Sequence, residues 1–123
     1  MNLEWIRAFC LKLPGVTEQV QWGNHLLFKV GGKMFAVGAL EPGGNVLSFK
    51  AAPEEFAELT ERPGIVPAPY LARAKWVALE KYSALRKSEY ERLLEASYDL
   101  VVAKLPKAKR PARKLPRERL TIV

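Results

Sequence analysis

The chain has 123 residues, of which 49% are hydrophobic and 27% are charged. This is the composition of a globular protein, and the length is sufficient for one domain with a two-layer core. The longest apolar run, residues 34–40, is far shorter than the roughly 20 residues of a transmembrane helix. No charged leader precedes an apolar segment at the N-terminus, and the single cysteine, Cys10, excludes an internal disulfide framework. We therefore expect a soluble cytoplasmic protein without membrane insertion.

The net charge of +7 belongs to the C-terminal part of the chain. Residues 1–103 carry twelve lysines and arginines and twelve acidic residues, so this part is neutral. Residues 104–123 carry eight cations and one acid, and prolines recur there at every fifth position. Prolines at this spacing prevent a continuing helix and favour extended backbone. We predict one folded domain over residues 1–105 and a basic tail over residues 106–123, of which residues 106–119 are expected to be mobile.

The first two predicted helices are amphipathic and have clear signals at their ends. Asn2 is a good N-cap for the first helix, which ends at Pro14-Gly15. Pro53 lies in the first turn of the second helix, where its missing N–H costs little. That helix ends before Pro63-Gly64.

A third helix is predicted after Leu85 and has the strongest pattern. Ser88 followed by Glu91 is typical of a capping box. One face of this helix is apolar and consists of Tyr90, Leu93, Leu94, Ser97, Val101 and Leu105, flanked by Tyr98 and Val102.

The segment between the first two helices alternates with a period of two, which indicates strands. Residues 26–30 and 33–37 flank Gly31-Gly32, and a Gly-Gly pair suits a two-residue hairpin turn. The expected register places Phe28 opposite Phe35. The aromatic pair would then share one face of the sheet with its aliphatic neighbours.

Three further strands are predicted. Residues 46–50 follow a glycine-rich turn, and residues 65–70 and 75–79 form a final pair in which Pro67 and Pro69 confine the first strand to an edge. The resulting order is α-β-β-β(-β)-α-β-β-α. We therefore predict an α+β fold, a two-layer sandwich with an antiparallel sheet of hairpins and about three helices on one face.

Several motifs occur in an order that resembles one known family. They are Leu13-Pro14-Gly15-Val16-Thr17-Glu18, Gln21-Trp22-Gly23, residues 28–36, residues 50–53, Pro63-Gly64-Ile65-Val66-Pro67-Ala68 with Trp76 downstream, and residues 95–101. Together they extend from about residue 3 to residue 105 and resemble the YjbR/MmcQ-like family.

The resemblance implies a two-layer sandwich similar to secretion-chaperone-like domains. Members of this family have no established enzymatic activity. A role in binding DNA through paired hairpin "wings" has been proposed for the family, and the resemblance implies the same role here. Many members have histidines after the Pro-Ala, including one directly before the tryptophan. Residues 70–75 contain no histidine here, so a function that needs those imidazoles is not expected of this chain.

No catalytic set, metal site or cofactor is expected. Nucleophilic catalysis needs a base beside the nucleophile, and the chain has one histidine, His25, and one cysteine, Cys10. We interpret Cys10 as a core residue on the first helix and His25 as a surface residue just before a strand. The acidic residues at helical spacing are typical of a solvated face. Neither glycine pair precedes a helix with the spacing of a phosphate-binding loop.

Binding to nucleic acid is the leading hypothesis, because it needs only cations on a surface. The candidate contact residues lie on the hairpins and in the tail, and they are Lys29, Lys33, Lys50, Arg73, Lys75, Lys107, Lys109, Arg110, Arg113, Lys114, Arg117 and Arg119. The alternatives are that these lysines are ordinary surface charges and that the tail only increases solubility.

Four aromatic residues are candidates for a pocket, namely Trp22, Tyr70, Trp76 and Tyr98. The alternative for the two tryptophans is packing between the sheet and the helices.

A second functional class remains open, a protein-interaction or chaperone-like module that uses the exposed sheet or an edge strand. An uncharacterised enzyme is a third, for which a deep pocket around Tyr70, Arg73, Lys75 and Tyr98 would be needed.

Overall fold

The computed structural model describes residues 1–111. Within them the helices are α1 (Leu3–Leu11), α2 (Pro53–Leu59) and α3 (Lys87–Ala103), and the strands are β1 (Val16–Gln21), β2 (His25–Val30), β3 (Lys33–Ala39), β4 (Leu47–Lys50), β5 (Ile65–Pro67) and β6 (Trp76–Leu79). Short 3₁₀ turns cover Ala72–Ala74, Tyr82–Ala84 and Lys107–Lys109. The six strands form one antiparallel sheet in the order β1-β2-β3-β4-β6-β5.

This architecture confirms the predicted α+β class and the order of its elements. The fourth strand between the first two helices, left optional in the predicted order, is β1. It is an edge strand of mostly polar residues, and only half of its residues are partly buried. Its sequence therefore lacks the hydrophobic alternation that indicates a strand. The other edge strand is β5, as its proline predicts. It ends at Pro67 rather than at Tyr70.

The main core lies between the helices and one face of the sheet. Alternate strand residues such as Phe28, Phe49 and Val77 are fully buried there against Cys10 of α1 and Leu94 of α3. The opposite face has a smaller cluster, made of Leu27, Val37, Ala68, Trp76 and Ala78. No helix covers that face within residues 1–111; the segment that connects β5 to β6 does so.

The ends of α1 and α2 follow their sequence signals. The Asn2 side chain accepts a hydrogen bond from the Trp5 backbone at 2.9 Å, which satisfies one of the unpaired N–H groups in the first turn of α1. Pro53 occupies the first turn of α2, and Glu54 and Glu55 lie there beside the positive end of the helix dipole.

The start of α3 was predicted wrongly by sequence. The helix begins at Lys87, and the residue that caps it is Arg86 rather than Ser88. Glu89 accepts a hydrogen bond from the Arg86 backbone N–H at 2.9 Å. The same carboxylate binds the Arg62 guanidinium through two hydrogen bonds, of 2.7 and 3.2 Å. The contact with Arg62 favours Glu89, rather than Glu91, as the carboxylate that caps the first turn of α3. The apolar face of the helix is buried as predicted.

The predicted register of the β2–β3 hairpin is correct at the turn and wrong farther along. Val30 lies opposite Lys33, but Phe28 lies opposite Ala36 and not opposite Phe35. A β-bulge leaves Phe35 as an extra residue on β3, and such a residue shifts all later pairs by one position. Both aromatic rings are still buried in the main core.

Candidate nucleic-acid interface

Cations gather at one end of the sheet because of the antiparallel register. The end of β2 and the start of β3 lie beside the end of β4 and the start of β6. This places Lys33, Lys50 and Lys75 at the same end of the sheet, with Arg73 in the preceding 3₁₀ turn. Lys104, at the C-terminus of α3, is close enough to Lys50 to disfavour its charged form. We call this region the basic end and define it by Lys33, Lys50, Arg73, Lys75, Lys104, Lys107 and Lys109.

The last two of these cations reach the basic end because the C-terminal segment packs on the hairpin turn. Gly31 has φ +59°, and a Cβ there would lie 2.5 Å from Leu105 Cδ1 and 3.1 Å from the Lys109 carbonyl oxygen. A Cβ on Gly15 would lie 3.0 Å from Pro111. Residues 105–111 therefore run across the β2–β3 turn in close contact with the domain.

Arg110 holds this segment in place. Its guanidinium donates to the carbonyl oxygens of Leu105 at 2.9 Å and Ala103 at 3.1 Å. The Ala103 carbonyl is one of those that the end of α3 leaves without helical partners, and Leu105 lies just beyond the helix. Arg110 thus uses two of its donors within the domain. The predicted tail from Pro106 onward thus begins with the 3₁₀ turn Lys107–Lys109, and the rest of it lies outside the described residues.

Lys50 also has an internal partner. Its ammonium donates to the Ala74 carbonyl at 2.7 Å, which ties β4 to the β5–β6 connection. Burial is the main cause that lowers the pKa of Lys50, and repulsion from Lys104 is the second. The backbone N–H of Lys50 donates to Ser97 of α3 at 3.0 Å.

The remaining predicted cations differ in how accessible they are. Lys33 and Arg73 are exposed. Lys75 is exposed as well, and its ammonium lies 5.2 Å from the centre of the Phe56 ring. Lys29 lies on β2 and donates to the side chain of Gln19 at 2.7 Å. It is half-buried on the sheet face opposite the helices. The other four predicted cations, Arg113, Lys114, Arg117 and Arg119, lie outside the described residues.

The four aromatic candidates do not form one pocket. Trp76 is buried beneath the β5–β6 connection on one face of the sheet, and Tyr98 is buried in the main core on the other. Trp22 is 60% exposed at the opposite end of the sheet from the basic end, where its ring contacts His25 at the start of β2. Tyr70 is fully exposed at the basic end. The alternative of packing between the sheet and the helices is wrong for both tryptophans, because Trp76 is buried on the face opposite the helices and Trp22 is exposed.

Comparison with known proteins assigns the family. The family model described as YjbR matches residues 11–100. The chain belongs to the YjbR family. Its fold resembles the crystal structure of Deinococcus radiodurans protein DR2400, a DUF419 domain, with 28% identity, a TM-score of 0.76 and coverage of 89% of this chain and 85% of that one. A second crystal structure, of a protein from Pseudomonas syringae, shares the fold with 22% identity, a TM-score of 0.67 and coverage of 81% and 98%. A search of the curated proteins gives no match.

The cysteine of this YjbR domain is buried. Burial raises the pKa of the Cys10 thiol to about 12, which confirms Cys10 as a core residue. No group of three or more His, Cys, Asp or Glu residues within positions 1–111 could hold a metal ion. In the same part of the chain, no helix is long and apolar enough to cross a bilayer.

A cleft of about 290 Å³ adjoins the basic end of the YjbR domain. Its lining is mostly apolar and comes from the start of α2 and the second half of α3, with Lys50, Glu55 and Asp99 as the charged members. Glu55 also pairs with Arg92 at 3.2 Å. Because both signs of charge are present, the cleft itself is not a specific site for an anion.

Sequence reasoning did not include Lys104 among the contact residues. Its position after the last turn of α3 was visible, but its approach to Lys50 depends on how the helix crosses the sheet. The difference in exposure between Tyr70 and Trp76 could not be predicted either, because the exposure of an aromatic ring depends on tertiary packing.

Proposed function

We propose that this chain is a non-enzymatic protein that binds nucleic acid, without sequence preference, through its basic end. The observation that supports the proposal is the meeting of seven cations from four separate parts of the chain at one end of the sheet. Four more cations follow in the sequence directly after the described residues. A cytoplasmic location, expected from the single cysteine, is part of the proposal.

The electrostatic argument is that of counterion release. Cations that neutralise phosphates release condensed counterions, so the logarithm of the affinity falls linearly with the logarithm of the salt concentration. Six of the cations at the basic end are exposed. Clustered charge also increases the rate of encounter with a polyanion.

The test is fluorescence anisotropy of a labelled oligonucleotide across a salt series. One variant carries Lys33→Gln, Lys107→Gln and Lys109→Gln at the basic end. The matched control carries Lys81→Gln, Arg86→Gln and Lys87→Gln, which removes the same charge near the start of α3, about 25 Å along the helix from its basic C-terminus. A third variant neutralises Arg113, Lys114, Arg117 and Arg119.

The proposal expects the basic-end variant to weaken binding at least 10-fold at low salt and to reduce the steepness of the salt dependence by about 2 to 3, at roughly 0.9 per phosphate contact. The control should change binding less than 3-fold. If the third variant alone abolishes binding, the four cations at positions 113–119 are the binding element and the basic end is not. Equal losses in the first variant and the control would show a net-charge effect and contradict the proposal.

A second candidate function is protein interaction through β1. This strand is an edge of the sheet, and Val20 and Trp22 at its end are 59% and 60% exposed. An unpaired edge with apolar side chains can accept a further strand from a partner. Val20→Lys would abolish such an interaction and leave the binding of oligonucleotides unchanged.

A further inference from the structure

Tyr70 is the most exposed aromatic residue among positions 1–111. Its relative exposure is 104%, and its backbone has φ +65°. The left-handed region is disfavoured for a residue as bulky as tyrosine. A residue stays in such a conformation when its surroundings determine it, and conformations of this kind are concentrated at functional sites.

The surroundings of Tyr70 are well anchored on both sides. The Ala68 N–H donates to the Trp76 carbonyl at 3.0 Å, and the Trp76 N–H donates to the Leu71 carbonyl at 3.2 Å. Ala68 is buried and Leu71 packs against the same cluster as Trp76. The backbone on each side of Tyr70 is therefore fixed, while its ring projects into solvent.

The far end of the same loop is also tied down. The ammonium of Lys50 holds the Ala74 carbonyl, and the Lys75 carbonyl accepts from the Ala51 N–H at 2.9 Å. Lys75, like Tyr70, has a positive φ, +66°. The loop thus presents one exposed ring and two exposed cations, Arg73 and Lys75, on a rigid support at the basic end.

We propose that Tyr70 is a stacking platform for an unpaired base, so that the basic end takes single-stranded nucleic acid in preference to duplex. This inference rests on the proposed function and specifies its ligand. An aromatic ring beside cations is the combination that binds single strands, because every base has a face on which the ring can stack. Because the backbone of Tyr70 is already fixed, only the side chain loses freedom on binding.

Stacking and simple electrostatics predict opposite preferences. Duplex DNA has a higher charge density than a single strand. A purely cationic surface therefore binds the duplex more tightly, and that binding depends more steeply on salt. Its bases are stacked within the helix and offer Tyr70 no free face along the duplex. A preference for single strands therefore cannot come from the cations alone.

The experiment compares a labelled twelve-nucleotide oligothymidylate with a twelve-base-pair duplex by anisotropy, with the full chain at about 50 mM salt. Tyr70→Asn removes the ring and keeps a residue that tolerates a positive φ. Tyr70→Trp restores a ring. Trp22→Asn is the matched control, because Trp22 is also an exposed aromatic residue with a positive φ, +55°, but lies at the opposite end of the sheet.

We expect the wild-type chain to bind the single strand more tightly than the duplex. Tyr70→Asn should weaken single-strand binding about 5- to 150-fold, which corresponds to the range of about 1–3 kcal/mol per stacked base, and change duplex binding less than 3-fold. Tyr70→Trp should restore the affinity and quench its indole fluorescence on binding. Trp22→Asn should have no effect.

Each other outcome decides between the two proposals. If the wild-type chain binds both ligands and Tyr70→Asn binds them equally well, the stacking inference is overturned and the electrostatic function stands. If the wild-type chain binds the duplex more tightly than the single strand, the stacking inference is likewise overturned and the electrostatic function stands. If the wild-type chain binds neither ligand at 50 mM salt, both proposals are overturned.

Discussion

The hydroxyl group of Ser97 donates to the carbonyl oxygen of Phe35 at 2.6 Å, across 62 residues of sequence. Phe35 is the extra residue of the β3 bulge, where the strand ladder is locally disrupted. The same hydroxyl oxygen accepts a hydrogen bond from the backbone N–H of Lys50. One fully buried serine thus satisfies two backbone groups of two strands and fixes α3 against the part of the sheet that leads to the basic end.

Ser97→Ala is expected to reduce the free energy of unfolding by about 2–4 kcal/mol. The substitution leaves a carbonyl and an N–H without partners inside the protein, and each such group costs about 1–3 kcal/mol. Urea denaturation followed by circular dichroism measures the change. Glu91→Ala, on the exposed face of the same helix, is the control and should cost less than about 0.5 kcal/mol. A loss below 1 kcal/mol in Ser97→Ala would mean that the two groups find other partners.

Glu89 should make the stability of the domain depend on pH. Hydrogen bonds from the Arg62 guanidinium, and then from the Arg86 backbone, lower the pKa of this carboxyl group to about 2. Because the pKa is lower in the folded state, the stabilisation is complete above the ordinary pKa of about 4.5 and is lost as the pH falls toward 2.

Glu89→Gln should therefore reduce the free energy of unfolding by about 1–2 kcal/mol near pH 7. The gap between wild type and variant should narrow as the pH is lowered from 4.5 to 2. Glu55→Gln breaks the more exposed and longer pair with Arg92, and we expect an effect below about 0.5 kcal/mol. Curves for wild type and Glu89→Gln that stay parallel down to pH 2 would contradict the assigned role.

Gly31 and Gly32 give a matched pair for testing how the C-terminal segment packs. Both have a positive φ, but a Cβ on Gly31 would collide with Leu105, whereas a Cβ on Gly32 meets nothing within 4 Å. Both alanine variants carry the cost of the left-handed backbone, about 1 kcal/mol. Gly31→Ala should cost about 1–3 kcal/mol more than Gly32→Ala, because the close contact forces the segment to shift. Thermal unfolding of the two variants measures the difference, and equal losses would show that residues 105–111 do not pack there.

Sequence reasoning was most successful where local chemistry decides structure. The Asn2 cap, the Pro53 start, the Gly31-Gly32 turn and the edge position of Pro67 all follow from backbone geometry alone. It failed where a distant residue decides. Arg62 determines that Glu89 rather than Glu91 closes the first turn of α3.

The same division applies to the candidate site. The cations were identified from their positions in the sequence, but the fact that they share one end follows from strand register and from the packing of residues 105–111. The bulge at Phe35, whose carbonyl accepts a hydrogen bond from Ser97 of α3, shifts the inner pairs of the hairpin. The distinction between exposed Tyr70 and buried Trp76 is a property of the loop that lies over the second face of the sheet.

The thiol of Cys10 should report global unfolding. It is buried in the main core, and burial raises its pKa to about 12. In the folded state a reagent therefore cannot reach the sulfur, and the reactive thiolate form is not populated. We expect Ellman's reagent to modify the native protein at pH 8 at least 100-fold more slowly than the urea-unfolded protein. A native rate close to that of the unfolded chain would show that α1 opens readily. Because the chain has no other cysteine, the signal needs no background variant.

Lys33 and Lys50 should contribute unequally to binding, although both lie at the basic end. The ammonium of Lys33 is exposed, whereas that of Lys50 is half-buried, donates to the Ala74 carbonyl and lies near Lys104. A cation already engaged within the protein releases fewer counterions from a polyanion. Lys33→Met should therefore flatten the salt dependence of oligonucleotide binding by about 0.7 to 0.9.

Lys50→Met should leave that slope nearly unchanged and instead weaken single-strand binding by loosening the loop of Tyr70. The double variant Lys50→Met and Tyr70→Asn should bind no more weakly than Tyr70→Asn alone, and an additive loss would show that Lys50 contacts the phosphates directly.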